Sequence, residues 1–244
     1  MSNSFFRFRQ FTIHQAGSAM KVGTDGVLLG SWTNIIHAAK ILDVGAGTGL
    51  ISLMLAQRSD AIIHAIEIDE NSFTQSLENI KASKWNKKVT IYHTSFQNYL
   101  DTTTEKYDLI VSNPPYFSHS LKPQNSSRML ARHNDELNYE ELLQGSRTLL
   151  NTQGILSLIL PYNEGCDCVV KASAYHLFCH RITKVKPTPE SNEKRLLLEF
   201  GKEYKLCQEG VLIIEVNKRH EYSDEYKVLT KDFYKNMEVP GYRD

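Results

Sequence analysis

Short apolar runs that stop at a glycine, an acid or a proline alternate along this chain with stretches in which apolar residues recur every three to four positions. Residues 40 to 44, 61 to 66, 88 to 93 and 107 to 111 are runs of the first kind, and their β-branched, apolar content predicts buried strands. The spacing predicts helices over 50–57 and 70–83 between them. Further on, 140–150 and 164–174 predict helices and 154–160 a strand. Residues 175–185 and 195–200 read as two more core strands, an antiparallel pair, and 211–216 adds another. Tyr226, Leu229, Phe233 and Met237 share one face of a closing helix over 223–237. Ahead of all this, residues 5–14 alternate aromatic and polar positions as edge strands do. Residues 20–32 read as a turn from Gly23 to Gly26 that leads into a short helix, which Thr24 or Asp25 would cap.

Strands that alternate with helices imply right-handed crossovers and a mainly parallel sheet. The expectation is an α/β fold: a mostly parallel, seven-stranded sheet with an antiparallel edge strand and helices on both faces. One domain is expected over 1–244. Its N-terminal strands and turn (1–36) would cover a ligand site, 37–202 would form the core, and 203–244 would add a strand and a helix. With 244 residues, 41% of them hydrophobic, the chain can bury a core without staples. Lysine plus arginine and aspartate plus glutamate both number 28, which excludes a uniformly basic nucleic-acid binder but leaves room for a basic patch. Cys166, Cys168, Cys179 and Cys207 lack metal-site spacing, so buried free thiols and no metal are expected. No long apolar segment occurs, and a soluble, cytoplasmic protein is expected.

Each expected strand ends in candidate chemistry. After 40–44 come Gly45, Gly47 and Gly49, which let backbone approach a ligand and open a helix whose first N–H groups are free. The Gly-x-Gly-x-Gly spacing departs from the dinucleotide fingerprint. Glu67 ends the next strand, where an acid is placed to accept from both hydroxyls of a ribose, and Asp69 suits the cap of the following helix. Ser95 and Phe96 follow the third run and suit the edge and face of an adenine; a helix cap with a core phenylalanine fits them equally well. The fourth run stops at Ser112-Asn113-Pro114-Pro115-Tyr116. Two prolines stiffen the loop and push Asn113 out of the helical region. The loop thereby offers an amide oxygen and carbonyls as acceptors, with Tyr116 as an aromatic face. Such a loop holds a planar amine. The polar stretch 117–138 then brings Lys122, Arg128 and Arg132, and Arg7, Arg9 and Lys184 are further cations. All six are candidate phosphate contacts.

Residues 42–50, 66–69 and 112–116 resemble the Rossmann-like, S-adenosylmethionine-dependent amino-methyltransferases. Residues 20–32, 128–133 and 222–234 make the chain most similar to the bacterial adenine-N6 methyltransferases that act on position 37 of valine tRNA. The likeness spans nearly the whole chain. It implies S-adenosyl-L-methionine as cofactor and tRNA as partner. It also implies cofactor contacts from Asp25, Asp43, Gly45, Gly47, Gly49, Glu67, Ile68, Ser95, Phe96 and Asn113, and catalysis by Asn113, Pro114, Pro115 and Tyr116. Ser95 is a departure, because the wider superfamily often has aspartate there. Competing readings are a protein-glutamine N5 methyltransferase, a guanine-N2 or DNA-adenine methyltransferase, and a non-catalytic RNA-binding module. The first family carries an N-terminal helical domain where this chain shows strands and a turn. An intact glycine loop, acid and amine clamp argue against the last.

Overall fold

The apolar runs do assemble as strands of one sheet. The computed structural model describes residues 4–18, 21–115 and 137–235. In chain order the elements are β1 (Phe5–Arg7), β2 (Thr12–His14), α1 (Thr24–Trp32), β3 (Lys40–Val44), α2 (Leu50–Arg58), β4 (Ile62–Glu67) and α3 (Glu70–Ala82). Then come β5 (Val89–His93), α4 (Phe96–Thr102), β6 (Tyr107–Ser112), α5 (Tyr139–Leu149), β7 (Leu150–Pro161) and α6 (Tyr162–Ala172). The chain closes with β8 (Phe178–Lys186), β9 (Arg195–Gly201), β10 (Gln208–Ile213) and α7 (Asp224–Thr230).

The main sheet has the order β10-β8-β9-β7-β6-β3-β4-β5, and β1 and β2 form a separate antiparallel pair. Neighbours from β7 through β5 run parallel, as do β8 and β10. β9 is antiparallel to both β7 and β8. The class and the mostly parallel sheet are as expected, with two differences of detail. The sheet has eight strands rather than seven, and its antiparallel strand lies inside rather than at the edge. The short 187–194 connection forces β9 back alongside β8. The eighth strand starts earlier than its apolar residues suggest, because its first four residues are exposed on the edge.

Alternation along the strands supplies two cores. Ile41, Ile63, Leu109 and Val111 pack with α1 and α2 on one face, while Leu42, Val44, Ile66, Ile110 and Leu156 pack with α5 and α6 on the other. Burial on both faces is why these strands read as continuous apolar runs. The chain leaves β3 for β4 and β5 on one side, then crosses to β6 and β7 on the other. The crevice beyond the carboxyl ends of β3 and β6 is therefore the switch point at which such sheets bind ligands.

Asp69, Ser95, Asn138 and Ser223 cap α3, α4, α5 and α7 with side-chain oxygens. α1 differs from expectation: Gly23 is its cap, and no side chain bonds there. The β1–β2 hairpin is fastened at both ends of the fold. Arg9 N donates to Phe233 O at 2.8 Å. The Asn79 amide accepts from His14 N (2.9 Å) and donates to His14 O (2.8 Å) and Thr48 O (2.9 Å). Cys166 is exposed, contrary to the expected burial, and Cys168 is buried. Among the described residues no His, Cys, Asp and Glu cluster suits a metal ion, and no helix is long and apolar enough to cross a membrane.

Candidate active site

The glycine loop begins the site. Gly45, Gly47 and Gly49 have φ of 74°, 57° and 79°, in the left-handed region. A Cβ on Gly45 or Gly47 would meet nothing within 4 Å, so these two line open space. A Cβ on Gly49 would lie 2.6 Å from Ser76 Oγ, so this glycine serves the packing of α2 against α3. Gly45 N and Ala46 N both donate to Ile66 O at 3.0 Å, which draws the loop against the end of β4.

Glu67 completes that junction. It is buried, and its Oε2 accepts from Gly47 N at 2.7 Å while Oε1 accepts from Asp69 N at 2.8 Å. The acid is thus aimed and locked by backbone, with its remaining lone pairs toward a cavity of about 500 Å³. Glu67, Ile68, Ser95, Phe96, Asn113 and Pro114 line that cavity, together with Pro115 and the previously unmarked Ser72 and Leu137. Its size is that of a small-molecule site. Ser95 caps α4 through Asn98 N, and Phe96 belongs to the second core, so both residues combine a structural role with a place on the wall.

Ser112 Oγ donates to Val44 O at 2.8 Å, which pins the end of β6 to the end of β3. Asn113 follows directly. It lines the first cavity and a second one of about 360 Å³ on the other side of Gly45 and Gly47. Its Oδ1 is buried and, among the described residues, has no hydrogen-bond partner. A buried acceptor without a donor costs roughly 1–3 kcal/mol, so its persistence here points to a donor that arrives with a ligand.

The second cavity brings Lys21, Thr24 and Asp25 against the glycine loop, with Arg195 from the start of β9. Arg195 Nε donates to Asp25 Oδ2 at 2.7 Å across 170 positions of sequence. Lys21, Asp25 and Arg195 offer charges of both signs, which is what an α-amino-acid group requires. The donors present therefore fit S-adenosylmethionine at both ends: acid and aromatic for a nucleoside, paired charges for the amino acid.

Other expected residues fall elsewhere. Asp43 lines neither cavity. It shares the face of Ile41, is fully buried, and accepts from Ser52 Oγ at 2.6 Å behind the loop. Burial pushes its carboxyl up to about 6. Arg7 and Arg9 sit at the hairpin, away from both cavities; the Arg7 guanidinium lies over the Phe5 ring, and Arg9 Nε donates to Tyr234 O. Lys184 is at the carboxyl edge but pairs with Glu209 at 2.8 Å. Tyr116, Lys122, Arg128 and Arg132 lie outside the described residues.

The chain is similar to known methyltransferases. The family model described as "Methyltransferase small domain" matches residues 18–174. A tRNA1(Val) (adenine(37)-N6)-methyltransferase of Flavobacterium psychrophilum is 46% identical over 95% of this chain and 100% of its own length. One from Trichodesmium erythraeum is 47% identical over 96% of this chain and 99% of its own. Among solved structures, a predicted O-methyltransferase from Agrobacterium tumefaciens superposes with a TM-score of 0.67 at 16% identity, covering 86% of this chain and 96% of that one. A 16S rRNA N2 methyltransferase from Thermus thermophilus, solved with AdoMet and guanosine, gives 0.56 at 17% identity over 82% of this chain and 50% of that one. The two structural likenesses speak for the fold, and the sequence likenesses go further: the chain belongs to the methyltransferase small-domain family and, within it, to the tRNA1(Val) (adenine(37)-N6)-methyltransferases.

Proposed function

We propose that this protein transfers a methyl group from S-adenosylmethionine to the exocyclic N6 of adenine 37, beside the anticodon of valine tRNA, in the cytoplasm. The observation that carries the reading is the Asn113 Oδ1, which has no hydrogen-bond partner among the described residues, on the wall common to both cavities. The family supplies the identity of the base.

The cofactor would lie around the glycine loop, its ribose hydroxyls on Glu67, its adenine between Ile68 and Phe96, and its amino acid toward Lys21, Asp25 and Arg195. It supplies a methyl already activated by a sulfonium. The remaining difficulty is the target nitrogen, whose lone pair is delocalised into the purine ring. Asn113 Oδ1 and the Pro114 carbonyl each accept one N6 hydrogen. Holding both hydrogens on one side favours a tetrahedral nitrogen with its lone pair toward the methyl. The same two dipoles stabilise the positive charge that develops on N6. The prolines keep these acceptors from relaxing away, which fixes the line of approach. No general base is needed before transfer, since the alkylated nitrogen sheds a proton readily to water. Tyr116 would stack on the extruded base, which in a loop costs little to unstack.

The test is transfer of labelled methyl to tRNA that lacks this modification, followed by nucleoside mass spectrometry and mapping of the labelled fragment. N6-methyladenosine at position 37 is expected, and label on another nucleoside overturns the reading. Asn113→Ala should lower turnover by about 10²–10³ while cofactor affinity stays within a few-fold. Undiminished turnover would remove the acceptor role.

A further inference from the structure

β10 runs parallel to β8, and β8 runs with β7 and β6, so the chain leaves β10 at the same edge of the sheet that carries Asn113. Ile214 N and Glu215 N donate to Lys186 O (3.0 Å) and Pro187 O (2.9 Å), which holds the exit against the end of β8. A finger then forms from Glu215 to Tyr222. The Glu215–Tyr222 bridge and a 2.8 Å bond from Val216 N to Glu221 O close it. Its two acids are spent on the finger itself. Glu215 Oε1 accepts from His220 N at 2.8 Å, and Glu221 Oε1 accepts from Asn217 Nδ2 at 3.1 Å. The tip presents Lys218 and Arg219. Both are exposed, and among the described residues neither side chain has a hydrogen-bond or ion-pair partner.

Among the described residues most other cations at this edge are already committed; Lys194, exposed just ahead of β9, is the exception. Lys184 pairs with Glu209, Arg195 with Asp25, and Lys186 Nζ donates to Pro189 O. β10 stands four strands from β6, roughly 19 Å at ~4.8 Å per strand. That is too far to touch the base held by Asn113 and suits the sugar-phosphate backbone flanking it. A turn that is already folded loses little conformational entropy when it binds.

We infer that the Glu215–Tyr222 finger is a phosphate-contacting element that grips the tRNA backbone through Lys218 and Arg219 and sets its register over the Asn113 clamp. The inference rests on the reading of tRNA as substrate. Such contacts position an RNA without reading its sequence. The finger carries as many acids as bases, so it acts by contact rather than by long-range steering.

The experiment measures tRNA affinity between 50 and 200 mM salt for the whole protein and for Lys218→Ala with Arg219→Ala. Two lost phosphate contacts reduce the slope of log affinity against log salt by about 1.4–1.8. KM for tRNA should rise roughly tenfold, with kcat at saturating tRNA and cofactor affinity unchanged. Lys81→Ala with Lys87→Ala, exposed cations at the opposite edge of the sheet, should leave the slope as it is. An unchanged slope in the finger variant, beside a wild type that methylates tRNA, overturns the inference alone. An equal drop in the control pair does so too, because it reports charge in general. A wild type that neither binds nor methylates tRNA removes the substrate reading and the inference with it.

Discussion

Replacing Glu67 by glutamine separates what this acid does for the fold from what it does for a ligand. A carboxylate has about four acceptor positions. The N–H groups of Gly47 and Asp69 fill two, at 2.7 and 2.8 Å. Two remain on the cavity side, matching the two donors of a vicinal diol. Glutamine keeps one oxygen and turns an NH2 toward one of the two N–H groups, which loses its acceptor. A hydrogen bond to a charged group contributes ~1.5–3 kcal/mol. In a chain of this size each kcal/mol moves the melting temperature by ~2–4 °C, so the ligand-free variant should melt about 3–12 °C lower. The surviving oxygen has one position left for two hydroxyls, which removes a second bond of the same kind. That weakens cofactor binding by roughly 10- to 150-fold at 1.4 kcal/mol per decade. Thermal unfolding and calorimetry with S-adenosylhomocysteine read the two effects separately. With a 2′-deoxy analogue, which brings one hydroxyl fewer, the gap in affinity between wild type and variant should shrink. Coincident melting curves together with equal affinities would refute the reasoning at both points.

Gly49→Ala should cost ~1–2 kcal/mol for the left-handed backbone and a further ~1–3 kcal/mol for overpacking against Ser76. Adding Ser76→Gly should recover the second part only; urea titrations showing the two changes additive within ~0.5 kcal/mol would rule out the contact. Asp43 gives a pH test, since burial raises its carboxyl to about 6 from 3.8. Between those values the unfolded chain has lost the proton and the folded protein keeps it, so stability falls as pH rises through the window, by up to ~3 kcal/mol. Asp43→Asn has no proton to lose, and its stability relative to wild type should rise by that order between pH 4 and 7; a flat difference would mean the carboxyl is hydrated.

What could be read from the chain was what depends on neighbours in sequence. The three glycines mark themselves because few other residues take their φ. Asp69 and Ser95 mark helix starts because their side chains bond an N–H three positions on. Asn113 is marked by the prolines behind it. What escaped depends on pairing between distant segments. Arg195 reaches the site only because β9 turns back into the sheet opposite α1, and the polar loop ahead of it gives no sign of this. Lys184 looks available until Glu209 arrives from a different strand. Asp43 counts as a cofactor contact only through the resemblance, and strand alternation turns it toward Ser52 on α2. The eighth strand is read three residues late because an edge strand need not be apolar where it is exposed.

The fastening of the hairpin ties the beginning of the chain to its end. Asn79 clips His14 and the Thr48 carbonyl together, while Arg9 is held by the backbone of Phe233 and Tyr234. During synthesis residues 4–18 therefore emerge first and find their last partners only after residue 234, an interval of roughly 10–40 s at 5–20 residues per second. A nascent chain can finish the inner sheet before the ribosome releases it, but the hairpin keeps one side unfastened until residues 233 and 234 have been made.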